Sequence, residues 1–186
     1  MKITTVFLDR DGVLNIDSPD YLLRLEDVQI HADVPAAIKQ LTDAGMRLIV
    51  VSNQAGIGKG LLSVPVAEAI FDKVIEGAEA EGGKITGRYY CPHTSEDNCN
   101  CRKPKPGMFM QAVKDHGIRL EQSVFVGDGF GDARAAKELN IPFYLVSQGW
   151  GSVTKQKCDD KTIPYISVKN LQEATDLILA SKEDEK

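Results

Sequence analysis

Apolar residues along this chain fall into two kinds of pattern. The first is the short unbroken run: V-F-L at 6–8, R-L-I-V-V at 47–51, S-V-F-V at 123–126 and the stretch 142–146. Such runs are expected of strands buried on both faces of a parallel sheet. Residues 85–90 give a further strand and 165–168 a short edge strand. The second pattern is helical spacing. Asp33 followed by Pro35 predicts a capped start, Ala36, Ala37, Leu41 and Ala44 supply the stripe, and Gly45 the stop. Residues 63–81 carry Val66, Ile70, Val74 and Ala78 on one face and end at Gly82-Gly83. Helices are also predicted over 107–116, closed by Gly117, over the alanine-rich 132–139, and over 171–180. Residues 16–29 read as loop with a turn at Ser18-Pro19-Asp20, and 182–186 as a frayed charged tail. The pattern assigns no element to 147–164.

Strands alternating with helices predict an α/β fold: a doubly wound three-layer sandwich with a mainly parallel central sheet. In such folds the functional crevice lies at the carboxyl ends of the strands. Those ends carry Asp9 and Asp11, then Ser52, Asn53 and Gln54, then Gly127 and Asp128. D-R-D-G alone is compatible with a solvated acidic turn. Three polar tips, each directly after an apolar strand, favour a site.

Composition narrows the class. At 186 residues, with 42% hydrophobic and 26% charged, the chain suits one domain spanning 1–186. A net charge of −5 is no signature of nucleic-acid or membrane partners. The N-terminus lacks a signal-peptide core and no apolar run has membrane-spanning length, so the cytoplasm is the expected location. In that compartment the cluster Cys91-x-His93 and Cys99-x-Cys101 predicts metal before disulfides. Cys₃His is a zinc composition, and four protein ligands leave no open position, so the predicted zinc is structural. Its expected task is to stiffen the loop 91–101 beside Lys103. Cys158 is expected to be a surface or half-buried thiol, and His31 and His116 to lie outside the chemistry. The glycine-rich turn 56–60 lacks the G-x-x-x-x-G-K-[ST] phosphate loop and reads as a flexible rim.

Paired carboxylates at a strand end are costly unless a cation or proton lies between them. Asp9, Asp11 and Asp128 are oxygen ligands suited to magnesium, which keeps waters and substrate phosphate in its shell. Ser52 offers a hydroxyl, and Lys103, within Arg102-Lys103-Pro104-Lys105-Pro106, a cation on a restricted backbone. These are the parts that phosphoryl transfer requires.

D-R-D-G-V-L-N, S-N-Q, a lysine and G-D-x-x-x-D (Asp128, Asp132) together resemble the four motifs of the haloacid dehalogenase-like phosphatases. The finer runs N-Q-A-G-I-G-K-G, Y-Y-C-P-H and C-N-C-R-K-P-K-P-G-M resemble the D-glycero-D-manno-heptose 1,7-bisphosphate phosphatase branch, to which histidinol-phosphate phosphatases are related. The resemblance implies a magnesium-dependent phosphomonoesterase of carbohydrate metabolism, toward lipopolysaccharide core precursors. Asp9 would be the nucleophile forming an aspartyl phosphate, and Asp11 the acid and base. Asp9, the backbone carbonyl of Asp11 and Asp128 would hold Mg²⁺. Ser52 and Lys103 would stabilise the phosphoryl group, and Asn53, Gln54, Arg102 and Tyr21 would grip a small phosphorylated substrate. The family often has a lysine directly after the motif-four aspartate; here that residue is Gly129. With no large insertion between motifs, a minimal cap, an open site and a monomer are expected. A histidinol-phosphate phosphatase is the alternative enzyme. A phosphoacceptor signalling module and a non-catalytic zinc scaffold are alternatives from other classes, disfavoured by the D-x-D-G-x-x-N motif and the aspartate set respectively.

Overall fold

All four residues of β1 (Thr5–Leu8) are buried, because this strand has a neighbour on each side and a helical layer on each face. The computed structural model describes residues 2–18 and 21–183. In chain order β1 is followed by α1 (Val34–Asp43), β2 (Arg47–Asn53), α2 (Ala55–Gly58), α3 (Val64–Ala78) and β3 (Gly87–Cys91). Then come α4 (Gly107–His116), β4 (Ser123–Gly127), α5 (Phe130–Leu139), β5 (Phe143–Val146), α6 (Gly151–Asp160), β6 (Ile166–Val168) and α7 (Leu171–Glu183). The six strands form one parallel sheet in the order β3-β2-β1-β4-β5-β6. The chain winds outward from β1 to β3 and then returns to place β4 on the other side of β1. That reversal opens a crevice at the carboxyl ends of β1 and β4.

Period-two alternation divides β1 between two cores. Val6 and Leu8 join α1, α3 and α7 on one face, while Phe7 joins α4, α5 and α6 on the other. On the second face Phe7, Phe109, Phe125 and Phe143 form an edge-to-face series with centroid spacings of 5.0, 5.1 and 5.8 Å. This packing satisfies the ring quadrupoles and gives the sheet tips a rigid base.

Several local expectations change. Asp33 does not cap α1 with its side chain; its Oδ2 accepts the Gln172 N–H at 3.0 Å and ties α1 to the start of α7. The glycine-rich rim is a one-turn helix, α2, stitched down by the Gly58 N–H donating to the Pro92 carbonyl at 2.8 Å. A Cβ on Gly58 would lie 2.7 Å from that same oxygen, so glycine here serves close approach rather than flexibility. Cys158 is fully buried among the second core cluster, not at the surface. Helix α6 has no counterpart in the apolar pattern because its buried face is made of Gly151, Thr154 and Cys158. Small and polar residues carry no hydrophobic periodicity. Helix α7 runs past the expected end at 180; Pro19, Asp20 and the tail 184–186 lie outside the described residues.

Phe109 touches both Phe7 and Phe125 beneath the crevice. Phe109→Ala should lower unfolding free energy by about 3–5 kcal/mol, read from the denaturant midpoint. A change under about 1 kcal/mol would show that the aromatic series is not a structural base.

Candidate active site

Asp9 follows β1 directly, its N–H extending the ladder to the Val126 carbonyl at 2.9 Å. Asp128 follows β4, and Ser52 and Asn53 end β2. The register pairs Ser52 with Tyr90 and Asn53 with Cys91, so the same sheet edge launches the cysteine loop. Asn53 then brackets the far end of that loop. Its Nδ2–H donates to the Lys103 carbonyl at 3.1 Å, and its Oδ1 accepts the Lys103 N–H at 2.9 Å.

This bracket delivers Lys103 to the middle of the crevice, only 5% exposed. Its Nζ lies 2.8 Å from Asp9 Oδ1 and 2.7 Å from Asp132 Oδ1, and donates to the Val51 carbonyl at 2.8 Å. The Phe125 ring lies beneath it at 5.5 Å. Burial alone pushes the pKa of such a lysine down. The charges of Asp132 and Asp9 outweigh that and push its pKa above the ordinary value. Asp9 Oδ1 also accepts the Arg10 N–H at 2.7 Å, so the protein's bonds converge on one oxygen and leave Oδ2 available.

The remaining carboxylates exceed what one lysine neutralises. Asp9, Asp128 and Asp132 each offer an oxygen within 4.8 Å of the others. Burial, then the charge of Asp132, raises Asp9 well above the usual carboxylate range. The same two causes push Asp128 up to about 7. Asp132 is already committed, with Oδ1 on Lys103 and Oδ2 accepting the Gly129 N–H at 2.9 Å. Asp9 and Asp128 are therefore the side chains with capacity for a divalent cation, and a hard one fits an all-oxygen set. Glycines give the carboxylates room: a Cβ on Gly12 or Gly149, both at positive φ, would lie 2.2 or 2.3 Å from Asp128 Oδ2.

The resemblance assigns the backbone carbonyl of Asp11 to the cation, and the side chain is engaged by other partners. Arg10, 1% exposed and packed over the Phe71 ring at 5.2 Å, reaches Asp11 Oδ1 and Oδ2 at 2.8 and 2.9 Å. Asn15 Nδ2 and Gln54 Nε2 donate to the same carboxylate at 3.0 and 2.9 Å. Burial pushes Asp11 up, but the Arg10 charge and these hydrogen bonds together hold it below the ordinary value. Gln54 also donates to Ser52 Oγ at 2.7 Å. Arg10, Asp17 and Trp150 had no role in the sequence reading. For Arg10 the signal was present, since period two sends the residue between two aspartates to the opposite face.

All the expected substrate contacts line one cleft of ≈ 400 Å³: Asp9, Asp11, Tyr21, Ser52, Asn53, Gln54, Arg102, Lys103 and Asp128. Arg102 is anchored by donating to the His93 carbonyl at 3.2 Å. Behind it, Cys91 Sγ lies 3.6 Å from Cys99 Sγ, 3.2 Å from Cys101 Sγ and 3.6 Å from His93 Nδ1. A tetrahedral zinc with ordinary bond lengths needs edges of about 3.8 Å for S···S and about 3.6 Å for S···N, so the set fits with slight expansion. Partial burial raises Cys99, yet the Arg102 N–H and the neighbouring thiols bring it down to about 6, while burial first of all pushes Cys91 and Cys101 up. Lys105 Nζ donates to the Asn98 and Cys99 carbonyls at 3.2 and 2.7 Å, closing the loop from outside.

The raised pKa of Asp128 has a signed consequence. Without metal the fold favours its protonated form, so its contribution to stability falls as pH rises from the unfolded value of about 4 towards about 7. Mg²⁺ competes with that proton. Added Mg²⁺ should therefore raise Tm more at about pH 8 than at about pH 6. Equal shifts at both would contradict a cation on Asp128.

The HAD-hydrolase-like family profile matches residues 100–174. The D-glycero-beta-D-manno-heptose-1,7-bisphosphate 7-phosphatase of Pseudomonas aeruginosa is 39% identical over 158 residues, covering 84% of this chain and 88% of the relative. That of Haemophilus ducreyi is 43% identical over 162 residues, covering 81% and 86%. The crystal structure of D,D-heptose 1,7-bisphosphate phosphatase from B. bronchiseptica, complexed with magnesium and phosphate, superposes with a TM-score of 0.89 at 29% identity, covering 96% of this chain and 99% of that one. With this sheet order and this crevice, the chain belongs to the haloacid dehalogenase-like phosphatases, in their D-glycero-D-manno-heptose-1,7-bisphosphate 7-phosphatase branch.

Proposed function

We propose that the chain hydrolyses the 7-phosphate of D-glycero-D-manno-heptose 1,7-bisphosphate, leaving the heptose 1-phosphate, through an aspartyl phosphate on Asp9. The observation that carries this reading is the Lys103 bridge: a buried ammonium fixes Asp9 by one oxygen and leaves the other available to attack. The relatives' names support the substrate. Relatives named for the beta and for the alpha anomer both match, so the assignment is made to the bisphosphate without choosing an anomer.

Asp9 Oδ2 attacks phosphorus, and the bond from phosphorus to the sugar oxygen breaks. That oxygen takes a proton from Asp11. Water then attacks the phosphorus of the aspartyl phosphate and gives a proton to Asp11, which releases phosphate and restores Asp9. Against the effect of burial, the Arg10 charge and the hydrogen bonds to Asp11 favour its carboxylate form in the free protein, the form required of the base. An arriving phosphate dianion places negative charge beside it and raises its proton affinity, the condition required of the acid. Lys103, the Ser52 hydroxyl and Arg102 face the charge developing on the phosphoryl oxygens. Asp9 and Asp128, with the Asp11 carbonyl, would hold Mg²⁺, which when bound neutralises carboxylate and phosphate charge. Cys91, His93, Cys99 and Cys101 would hold Zn²⁺, which would keep the loop carrying Arg102 and Lys103 in register.

Phosphate release across a panel of sugar phosphates, sugar bisphosphates and histidinol phosphate tests the assignment, with and without Mg²⁺. The heptose bisphosphate should give the highest kcat/KM, and Mg²⁺ removal should abolish turnover. Preference for histidinol phosphate would overturn the substrate. Asp9→Asn should remove detectable turnover, while Asp11→Asn should lower kcat by about 10²–10⁴. Retained turnover in Asp9→Asn would overturn the mechanism. Cys101→Ser should release zinc and lower kcat with Tm; full activity in a zinc-free protein would refute the stiffening role.

A further inference from the structure

The groups assigned to phosphoryl chemistry explain how phosphate is gripped, but none of them reads the carbon skeleton. On the rim of the same cleft stands Trp150, the chain's one tryptophan, 56% exposed. An exposed aromatic ring is ordinary when it is free to move. This ring is held. Its Nε1–H donates to Asp17 Oδ2 at 2.8 Å, and its backbone N–H donates to Asp128 Oδ2 at 2.9 Å. The backbone is pinned on both sides. Gly149 sits at φ +57 against Asp128, and a Cβ on Gly151 would lie 2.1 Å from the Val146 carbonyl. Asp17 lines the cleft from the opposite end of the chain; the Ser18 backbone N–H also bonds to its carboxylate, whose two oxygens can each accept more than one hydrogen bond.

A sugar presents C–H groups on its faces and hydroxyls on its edge. A fixed flat ring beside a charged acceptor matches both. Resting on the heptose reading above, we propose that Trp150 and Asp17 form the sugar-recognising edge of the cleft. The indole face packs against the substrate's carbon skeleton, and the Asp17 carboxylate accepts from a sugar hydroxyl. Trp150 is thereby a specificity residue, joined through its backbone to the carboxylate beside the phosphoryl site.

The lone tryptophan supplies its own probe. In the Asp9→Asn protein, titration with the heptose bisphosphate should shift indole emission to shorter wavelength, while inorganic phosphate with Mg²⁺ should leave it in place. An equal response to both ligands, or to neither, overturns the proposal. In kinetics, Trp150→Ala should lose at least about tenfold in kcat/KM on the heptose bisphosphate, mostly through KM, and at least about fivefold less on acetyl phosphate, which has no sugar. Asp17→Asn, which keeps the indole, should lose in the same direction. Equal losses on both substrates would mean that Trp150 acts only through Asp128 and would overturn the proposal. So would no loss on the sugar substrate. If the wild-type enzyme prefers another sugar phosphate, the heptose assignment fails, and the same comparison on the preferred sugar still decides the role of Trp150.

Discussion

One buried ammonium organises this site. Lys103 sits between Asp9 and Asp132 with a backbone carbonyl and an aromatic ring completing its surroundings. Taking a charge out of water costs several kcal/mol, and only a well-made partner set offsets it. Each partner comes from a different element, so the fold must be complete before the lysine is tolerable. The sheet supplies Asp9 and Val51, α5 supplies Asp132, and Asn53 fixes the lysine's own backbone. The cysteine loop brings the chain back to the right point, and its four ligand atoms lie close enough together to hold a metal ion.

The same bridge leaves a deliberate imbalance. One lysine cannot neutralise three carboxylates, and both Asp9 and Asp128 are held at raised pKa. Three carboxylates against one ammonium leave an excess of two negative charges, which is what one divalent cation balances. Asp11 belongs to a separate circuit. The buried Arg10, clamped over Phe71, holds its side chain apart from the cation cluster and lowers its proton affinity. Two aspartates two residues apart thus have opposite electrostatic settings without metal. The roles proposed for them require a bound cation to favour the carboxylate form of Asp9 and a nearby phosphate to favour the protonated form of Asp11.

Much of this was legible in the chain. Apolar runs ending in polar tips placed Asp9, Ser52 and Asp128 on one sheet edge, and the Cys₃His spacing named a four-atom cluster that the structure closes to metal-binding distances. What escaped the sequence has physical reasons. Helix α6, and with it Trp150, was invisible because its inward face is glycine, threonine and cysteine. Asp33 reads as a helix cap but finds a better donor on α7, a contact 139 residues away. Asp132 stood in a motif without a role until the lysine it binds was placed beside it. Asp17 becomes informative only when the far end of the chain folds across to it.

The central claim is that Asp9 takes the phosphoryl group covalently before water does. The stereochemical course at phosphorus tests it most directly, using a substrate ester made chiral with oxygen isotopes. Two in-line displacements, one by Asp9 and one by water, predict net retention of configuration in the released phosphate. Net inversion would mean that water attacks the substrate itself, and the nucleophile assigned to the end of β1 would be wrong.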